Sequence, residues 1–378
     1  MLTIDGSYGE GGGQVLRTSL SLAAITGQPV RVEHIRAGRR KPGLRPQHLT
    51  CVRAAAKVCA ARLEGAKLNS QRVTFVPDSM PRAGTYTFDV AQAAKKGGSA
   101  GSVSLVLQTI LLPLALADGV SQVTLRGGTH VAWSPPFHYL KRVYLPALAG
   151  TGVQAKVNIQ KWGWYPQGGG VVKATVTETG ATDLTAGSST DHSARTTQHR
   201  PVIVEDPPAS QLSGLSLPQR GRLLRVRGIS ASSNRPKHIR LRQERTALQL
   251  LRSNGLNARI EVVNAPSKGQ GTVVFLWAES ENAVAGFTSF GELGKPAEQV
   301  AEEAAEHLLA YLEGDAAVDR YLADQLVLPL ALAKSPSQFT TEAVTQHLLT
   351  SAWVVNQFLP GRITIEGKLG EPGECFLG

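Results

Sequence analysis

The feature that most constrains this chain is a short pattern written into it three times. Val15-Leu16-Arg17-Thr18 recurs as Val106-Leu107-Gln108-Thr109, and the apolar run Ile110 to Ala117, with Pro113 inside it, recurs as Leu326 to Ala333 around Pro329. These alignments set Arg17, Gln108 and Asp324 at equivalent points, each entering an apolar helix. A second element follows each time, opening Pro46-Gln47-His48-Leu49, Pro136-Phe137-His138-Tyr139 and Thr345-Gln346-His347-Leu348. Self-similarity at a structural step means one supersecondary unit used repeatedly. Groups shared among such units gather where their equivalent ends converge.

Between the repeated elements, β-rich stretches alternate with segments of 3.6-residue period, which argues for sheets backed by helices. Unit one reads as a strand over Leu2 to Asp5, a glycine loop, a helix from about Gln14, a strand over Pro29 to Ile35, a helix from Pro46, and strands near 62–67 and 72–76. Unit two repeats that order from Tyr86 to about 177. Glu178 to Arg200 is rich in Thr, Ser and Gly and reads as a mobile surface loop. Unit three should begin with a strand near 202–204 and place its helices near 297–313, 324–333 and 345–358. A segment over 218–280, reading strand, amphipathic helix, strand, strand, interrupts it as a small domain on exposed linkers. The expected fold class is therefore α/β of the α+β type: three β-α-β-α-β-β units, 1–217 with 281–378, and a small α/β domain inserted in the third.

The net charge of +11 favours an anionic partner such as a nucleotide or nucleic acid. It is uneven. Residues 211–250 carry nine Arg and Lys against Glu244 alone, and residues 31–45 carry six against Glu33. The first cluster reads either as an RNA-binding arm or as a solvated basic helix. Three cysteines without a C-x-x-C pair argue against a zinc knuckle or a disulfide framework. No apolar run is long enough to span a bilayer and no signal pattern opens the chain, so no membrane association and a cytoplasmic location are expected.

Two motifs point to phosphate. Asp5 to Gln14 is a glycine loop between strand and helix, where backbone N–H groups and the helix field favour an anion. Glu10 is the odd member, because a carboxylate there repels phosphate unless a divalent ion lies between them. Mg²⁺ or Mn²⁺ is the expected ion. Ile35 to His48 holds Arg36, Arg39, Arg40, Lys41 and Arg45 in one loop; arginine forks suit phosphate oxygens, and Arg17, Arg36 and Arg39 are the candidates. The glycine turns at 126–129 and 163–170 read equally as tight turns or ligand contacts. A histidine in the first turn of a helix is kept neutral by the dipole, and a neutral imidazole is a usable nucleophile. His48, His138 and His347 share that description, and the residues alone do not choose among them.

Taken together, Asp5 to Arg17, Ile35 to His48, Ser99 to Gln108, Gly127 to Pro136, Tyr165 to Gly170, Tyr321 to Gln325 and His347 to Thr350 resemble the RNA 3'-terminal phosphate cyclases over nearly the whole chain. The resemblance implies ATP as co-substrate and an RNA with a 3'-terminal phosphate as partner. It implies a histidine–AMP intermediate, transfer of AMP to the RNA phosphate, and closure to a 2',3'-cyclic phosphate. It selects His347 as the nucleophile and Gln108, Tyr321, Leu322, Ala323, Asp324 and Gln325 as the ATP pocket. Arg17, Arg36, Arg39 and Gln47 carry over to phosphate and RNA, and Glu10 to the metal. A homodimer is compatible with this pattern. The alternative is a non-catalytic cyclase-like factor of RNA processing and ribosome assembly, which lacks the histidine that this chain keeps. Two positions depart from the family pattern: Trp162 stands where a basic residue usually precedes Gly163, and Ser351 where Asn is usual. Neither is expected to touch the chemistry directly.

Overall fold

The computed structural model describes residues 1–94, 99–180 and 212–378. Unit one runs β1 (Leu2–Asp5), α1 (Gly13–Thr26), β2 (Val30–Glu33), α2 (Pro46–Val58), β3 (Arg62–Glu64) and β4 (Val73–Val76). The pair β1 and β2 is parallel and needs a crossover, which α1 supplies; β4 runs antiparallel to both β2 and β3, giving the order β1-β2-β4-β3. Unit two repeats this with β5 (Thr85–Asp89), α3 (Val103–Ala115) and β6 (Val120–Gly127). It continues through a composite helix of α4 (Phe137–Tyr139), a π turn (Leu140–Tyr144) and α5 (Leu145–Ala149), then β7 (Gln154–Lys161) and β8 (Gly170–Thr177), in the order β5-β6-β8-β7.

After β9 (Ser216–Leu217) the chain makes a different unit. It comprises β10 (Leu223–Ser233), α6 (Lys237–Ser253), β11 (Ala258–Asn264), β12 (Gly271–Ser280), β13 (Val284–Phe290) and α7 (Ala297–Glu313). Only then do α8 (Ala323–Ala331), β14 (Ser337–Thr341), α9 (Gln346–Phe358), β15 (Ile363–Gly367) and β16 (Gly373–Leu377) complete the third sheet, in the order β15-β16-β14-β9. Read from β9, its topology is that of the first two sheets. The opening strand expected near 202–204 lies outside the described residues, as does the expected loop beyond residue 180; β9 holds the first place in this sheet.

The inserted unit differs from expectation in extent and in attachment. An end at 280 falls between β12 and β13, which are hydrogen-bonded neighbours. The helix over 297–313 belongs with them rather than with the third repeat. Its stripe of Val300, Ala301, Ala304, Ala305 and Leu308 packs on Val274, Leu276 and Phe287, because residues spaced three and four apart share a helix face. The unit is docked, not carried on free linkers. Along β12, Val274, Leu276 and Ala278 enter its own core, whereas Val273, Phe275 and Trp277 enter the large core shared by the three repeats. Successive strand side chains point to opposite faces, so one strand serves two cores. This explains why β12 is a continuous apolar run, whereas β6, with one covered face, alternates.

Candidate active site

The three repeats turn their helix starts toward one crevice. Gln14, Arg17, Thr18 and Ser21 of α1, Gln108 and Thr109 of α3, Asp324 and Gln325 of α8, and Ser351 of α9 line a single pocket. Arg17, Gln108 and Asp324, matched by the internal alignment, are thus brought together. Tyr8 of the glycine loop stacks on Trp353 of α9, with ring centroids 3.9 Å apart. Gly9, at φ 62°, lies so close to α9 that a β-carbon would collide with the Thr350 hydroxyl, so both its conformation and its contact require glycine.

His347 stands in the first turn of α9, whose N-cap Thr345 accepts from the Leu348 N–H at 3.1 Å. Its Nδ1 is 2.6 Å from Gln14 Oε1. The Gln14 Nε2 group lies 2.8 Å from Asp324 Oδ2, 3.0 Å from the His347 carbonyl and 2.6 Å from Ser351 Oγ. A carboxylate and a carbonyl both require a donor, which orients the amide and leaves Oε1 facing the ring. An amide oxygen only accepts, so Nδ1 carries the proton and Nε2 holds the free lone pair. Nε2 points to the open side, 3.5 Å from Glu10 Oε2, and about half of the His347 side chain (51 %) is solvent-accessible. Even so, burial by the surrounding protein lowers the His347 pKa; Glu10 opposes this, and Arg17 and Arg39 reinforce it.

Burial pushes Asp324 up to about 7, against the pull of Arg17. Gln108 donates to Gln325 Oε1, and Gln325 donates to the Tyr321 carbonyl, so the pocket wall is cross-tied between two repeats. Of the remaining candidates, Tyr321 is exposed, whereas Leu322 and Ala323 are buried in the core and offer a ligand only backbone.

The cationic loop divides its arginines. Arg39 Nη2 lies 3.2 Å from Glu10 Oε2 and faces the site. Arg36, itself in a left-handed conformation at φ 55°, spends its guanidinium on the Lys41 and Gly43 carbonyls at 2.6 and 3.1 Å, holding the loop's shape. Gln47 accepts from the Ser102 N–H at 2.7 Å and ties α2 to the start of α3. Among the described residues no group of three or more His, Cys, Asp or Glu could hold a metal ion. Glu10 alone suits a hard divalent ion that keeps waters and takes its other ligands from phosphate oxygens.

The other two histidines differ: His48 is half-buried and His138 buried. His48 accepts from the Arg45 N–H, lies against Gly13, and is pushed down to about 3 by burial and by Arg17, Arg36 and Arg45. His138 lies 2.9 Å from His130 beneath Trp162, whose ring stacks on His130 at 3.9 Å; burial puts His138 at about 3. Trp162 is therefore an interior residue and no phosphate ligand.

Three contributors escape a reading of the sequence. Gln14 was visible only as the last residue of the glycine motif. Ser351, not expected to touch the chemistry directly, is one hydrogen bond from the group that orients His347. Asp319 is fully buried and accepts from Tyr139 Oη (2.8 Å), Gly286 N (3.0 Å), and Tyr321 N and Leu322 N (2.9 Å each). It joins the second repeat, the inserted sheet and the pocket loop.

The basic run over 211–250 is largely spent inside the inserted unit. Arg220 caps α7 through the Leu312 and Gly314 carbonyls, Arg222 and Arg225 pair with Glu281 and Glu279, and Arg242 takes both Glu298 oxygens at 2.6 Å. Arg240 is buried on Ser232. Reversing its charge would bury an unpaired carboxylate, so such a variant does not test RNA binding.

The family model for RNA 3'-terminal phosphate cyclase matches residues 8–365. A protein of that name from Nostoc punctiforme is 49 % identical over 358 residues, covering 95 % of this chain and 94 % of its own. Those from Methylococcus capsulatus and Pyrococcus furiosus are 47 % and 37 % identical; each alignment covers 99 % of this chain, and 94 % and 98 % of the relative. No helix among the described residues is long and apolar enough to cross a membrane. With these matches running through the crevice residues of all three repeats, the chain belongs to the RNA 3'-terminal phosphate cyclase family.

Proposed function

We propose that the chain converts an RNA 3'-terminal phosphate to a 2',3'-cyclic phosphate at the expense of ATP, with His347 carrying AMP between the two. The observation that carries this reading is the Gln14 amide, which leaves the His347 Nε2 lone pair free on the open side of the ring. Nε2 attacks the α-phosphorus; the N–P bond forms as the bond to pyrophosphate breaks, and the electrons leave with pyrophosphate. Positive charge grows on the ring and is shared through Nδ1–H to Gln14 and on toward Asp324. An oxygen of the RNA 3'-phosphate next attacks the same phosphorus, and the N–P electrons return to Nε2. The ribose 2'-OH then attacks the 3'-phosphorus, loses its proton to solvent, and expels AMP.

Arg17 and Arg39 are assigned to phosphate charge, and Gln108, Tyr321, Asp324 and Gln325 to holding the nucleotide. When bound, a divalent ion at Glu10 would supply charge neutralisation to the phosphates. Arg36 and Gln47, whose polar atoms serve the loop and the α3 start, are assigned to shaping the phosphate site. The test is a 3'-phosphorylated oligonucleotide incubated with ATP. Its terminal phosphate should become resistant to phosphatase with the wild type and stay sensitive with His347→Ala; resistance with both refutes the proposal.

A further inference from the structure

Trp133 and Tyr165 are the most exposed aromatic side chains among the described residues, at 101 % and 78 %. They sit on neighbouring loops. Thr129 N and His130 N both donate to the Gly163 carbonyl, at 2.9 and 3.1 Å, and His130 bridges to Trp164. Both loops carry local ties, in the Tyr165 loop from the Gly168 N–H to the Trp164 carbonyl at 2.7 Å. Trp133 holds a left-handed φ of 61°, which a β-carbon disfavours, and Ser134 Oγ closes its turn on the Val131 carbonyl at 3.0 Å ahead of two prolines. Beneath lies the buried stack of His130 and Trp162, and Trp164 Nε1 donates to Ser233 Oγ at 2.7 Å. Packing does not explain a fully exposed tryptophan in a left-handed backbone conformation.

The turn bearing Tyr165 connects to the site already described through packed loop segments. A β-carbon at Gly168 would collide with the Ser99 carbonyl, and one at Gly101 would sit 2.8 Å from Gln47 Cβ. Gln47 and His48 in turn lie against Ser102 and Gly13. Close contacts thus run in series from the glycine loop beside His347, through His48, Gln47, Gly101 and Ser99, to the turn bearing Tyr165. Lys268, whose side chain comes within 3.8 Å of a β-carbon placed at Gly169, and Lys161, two residues before Gly163, are both exposed. Aromatic faces with nearby cations are what single-stranded nucleic acid requires: bases stack without sequence preference while cations follow the backbone.

We propose that Trp133 and Tyr165 form a stacking platform for the bases of single-stranded RNA upstream of its 3'-phosphate, whose end lies at His347. This rests on the RNA-cyclase reading for the direction of the strand. The test measures binding of 3'-phosphorylated RNAs of increasing length to the full chain without ATP, beside self-labelling with α-labelled ATP. Wild-type affinity should rise with length. Trp133→Ala and Tyr165→Ala should each weaken binding of a long oligonucleotide by about fivefold or more. They should leave a 3'-phosphorylated dinucleotide and self-labelling unchanged, and Trp133→Phe and Tyr165→Phe should recover most of the loss. The platform is overturned if long and short RNAs respond alike, if neither responds, if labelling falls in step, or if the variants alter only self-association or protein binding. Absence of label on the wild type would refute the catalytic proposal while leaving the length dependence to judge the platform.

Discussion

The start of α9 and the start of the composite helix at Phe137 occupy equivalent places in two repeats, yet they present their histidines oppositely. His347 is open, with one nitrogen fixed by Gln14 and the other turned to Glu10 and solvent. His138 is sealed: Trp162 and His130 cover it, and the inserted sheet lies against the same region through Phe275 and the Trp164–Ser233 bond. The repeat decides where a histidine stands, and whatever docks on that repeat decides whether it can act. In this chain the second repeat's own aromatics and the inserted unit together close the second site, whereas the third faces the first across the crevice.

Exchanging each histidine tests that contrast most severely. His347→Ala should abolish covalent AMP labelling, while His138→Ala and His48→Ala should retain it; loss of label only in His48→Ala would reverse the assignment. Next in size, Gln14→Ala should slow self-labelling about ten- to a hundredfold, the range for losing a hydrogen bond to a charged group, ~1.5–3 kcal/mol. An unchanged rate in single-turnover measurements would show that the tautomer is set by something else.

The pH dependence should be moderate and of definite sign. The folded pKa of His347 lies below 6.5, so the neutral, nucleophilic form persists as pH falls through 6.5 and is lost only below it. Protonation of the imidazole should therefore cost little labelling rate between pH 8 and 7, and a fall centred near pH 7 would report the Asp324 carboxyl, which burial pushes up to about 7. Because Glu10 raises the His347 pKa, Glu10→Gln should lower it further, measured by NMR titration of the ring; an upward shift would contradict the geometry. The smallest effect belongs to Ser351→Ala, which removes one neutral hydrogen bond to Gln14 and should slow labelling about two- to tenfold.

Much of this was legible from residue pattern. Helix starts and apolar runs repeat, so the meeting of Arg17, Gln108 and Asp324 followed from alignment of the chain with itself. What stayed hidden depends on contacts between distant segments. Asp319 reads as one loop acid, because beside its two local donors, the Tyr321 and Leu322 N–H groups, it accepts from Tyr139 and Gly286, which lie on other elements. Ser351 is an ordinary helix residue until Gln14, 337 positions away, lies against it. The place of the helix over 297–313 in the chain points to the third repeat, whereas its apolar stripe matches the inserted sheet. Likewise a run of arginines says nothing of which are spent on carboxylates and carbonyls nearby.

The most direct measurement is to trap the protein with ATP and a divalent metal, digest it under mildly alkaline conditions, and locate the AMP by mass spectrometry. The account predicts one acid-labile adduct, on the peptide containing His347, which disappears when a 3'-phosphorylated RNA is added. AMP on a lysine, on the peptide of His48 or His138, or on no residue of an enzyme that still forms cyclic phosphate, would contradict it.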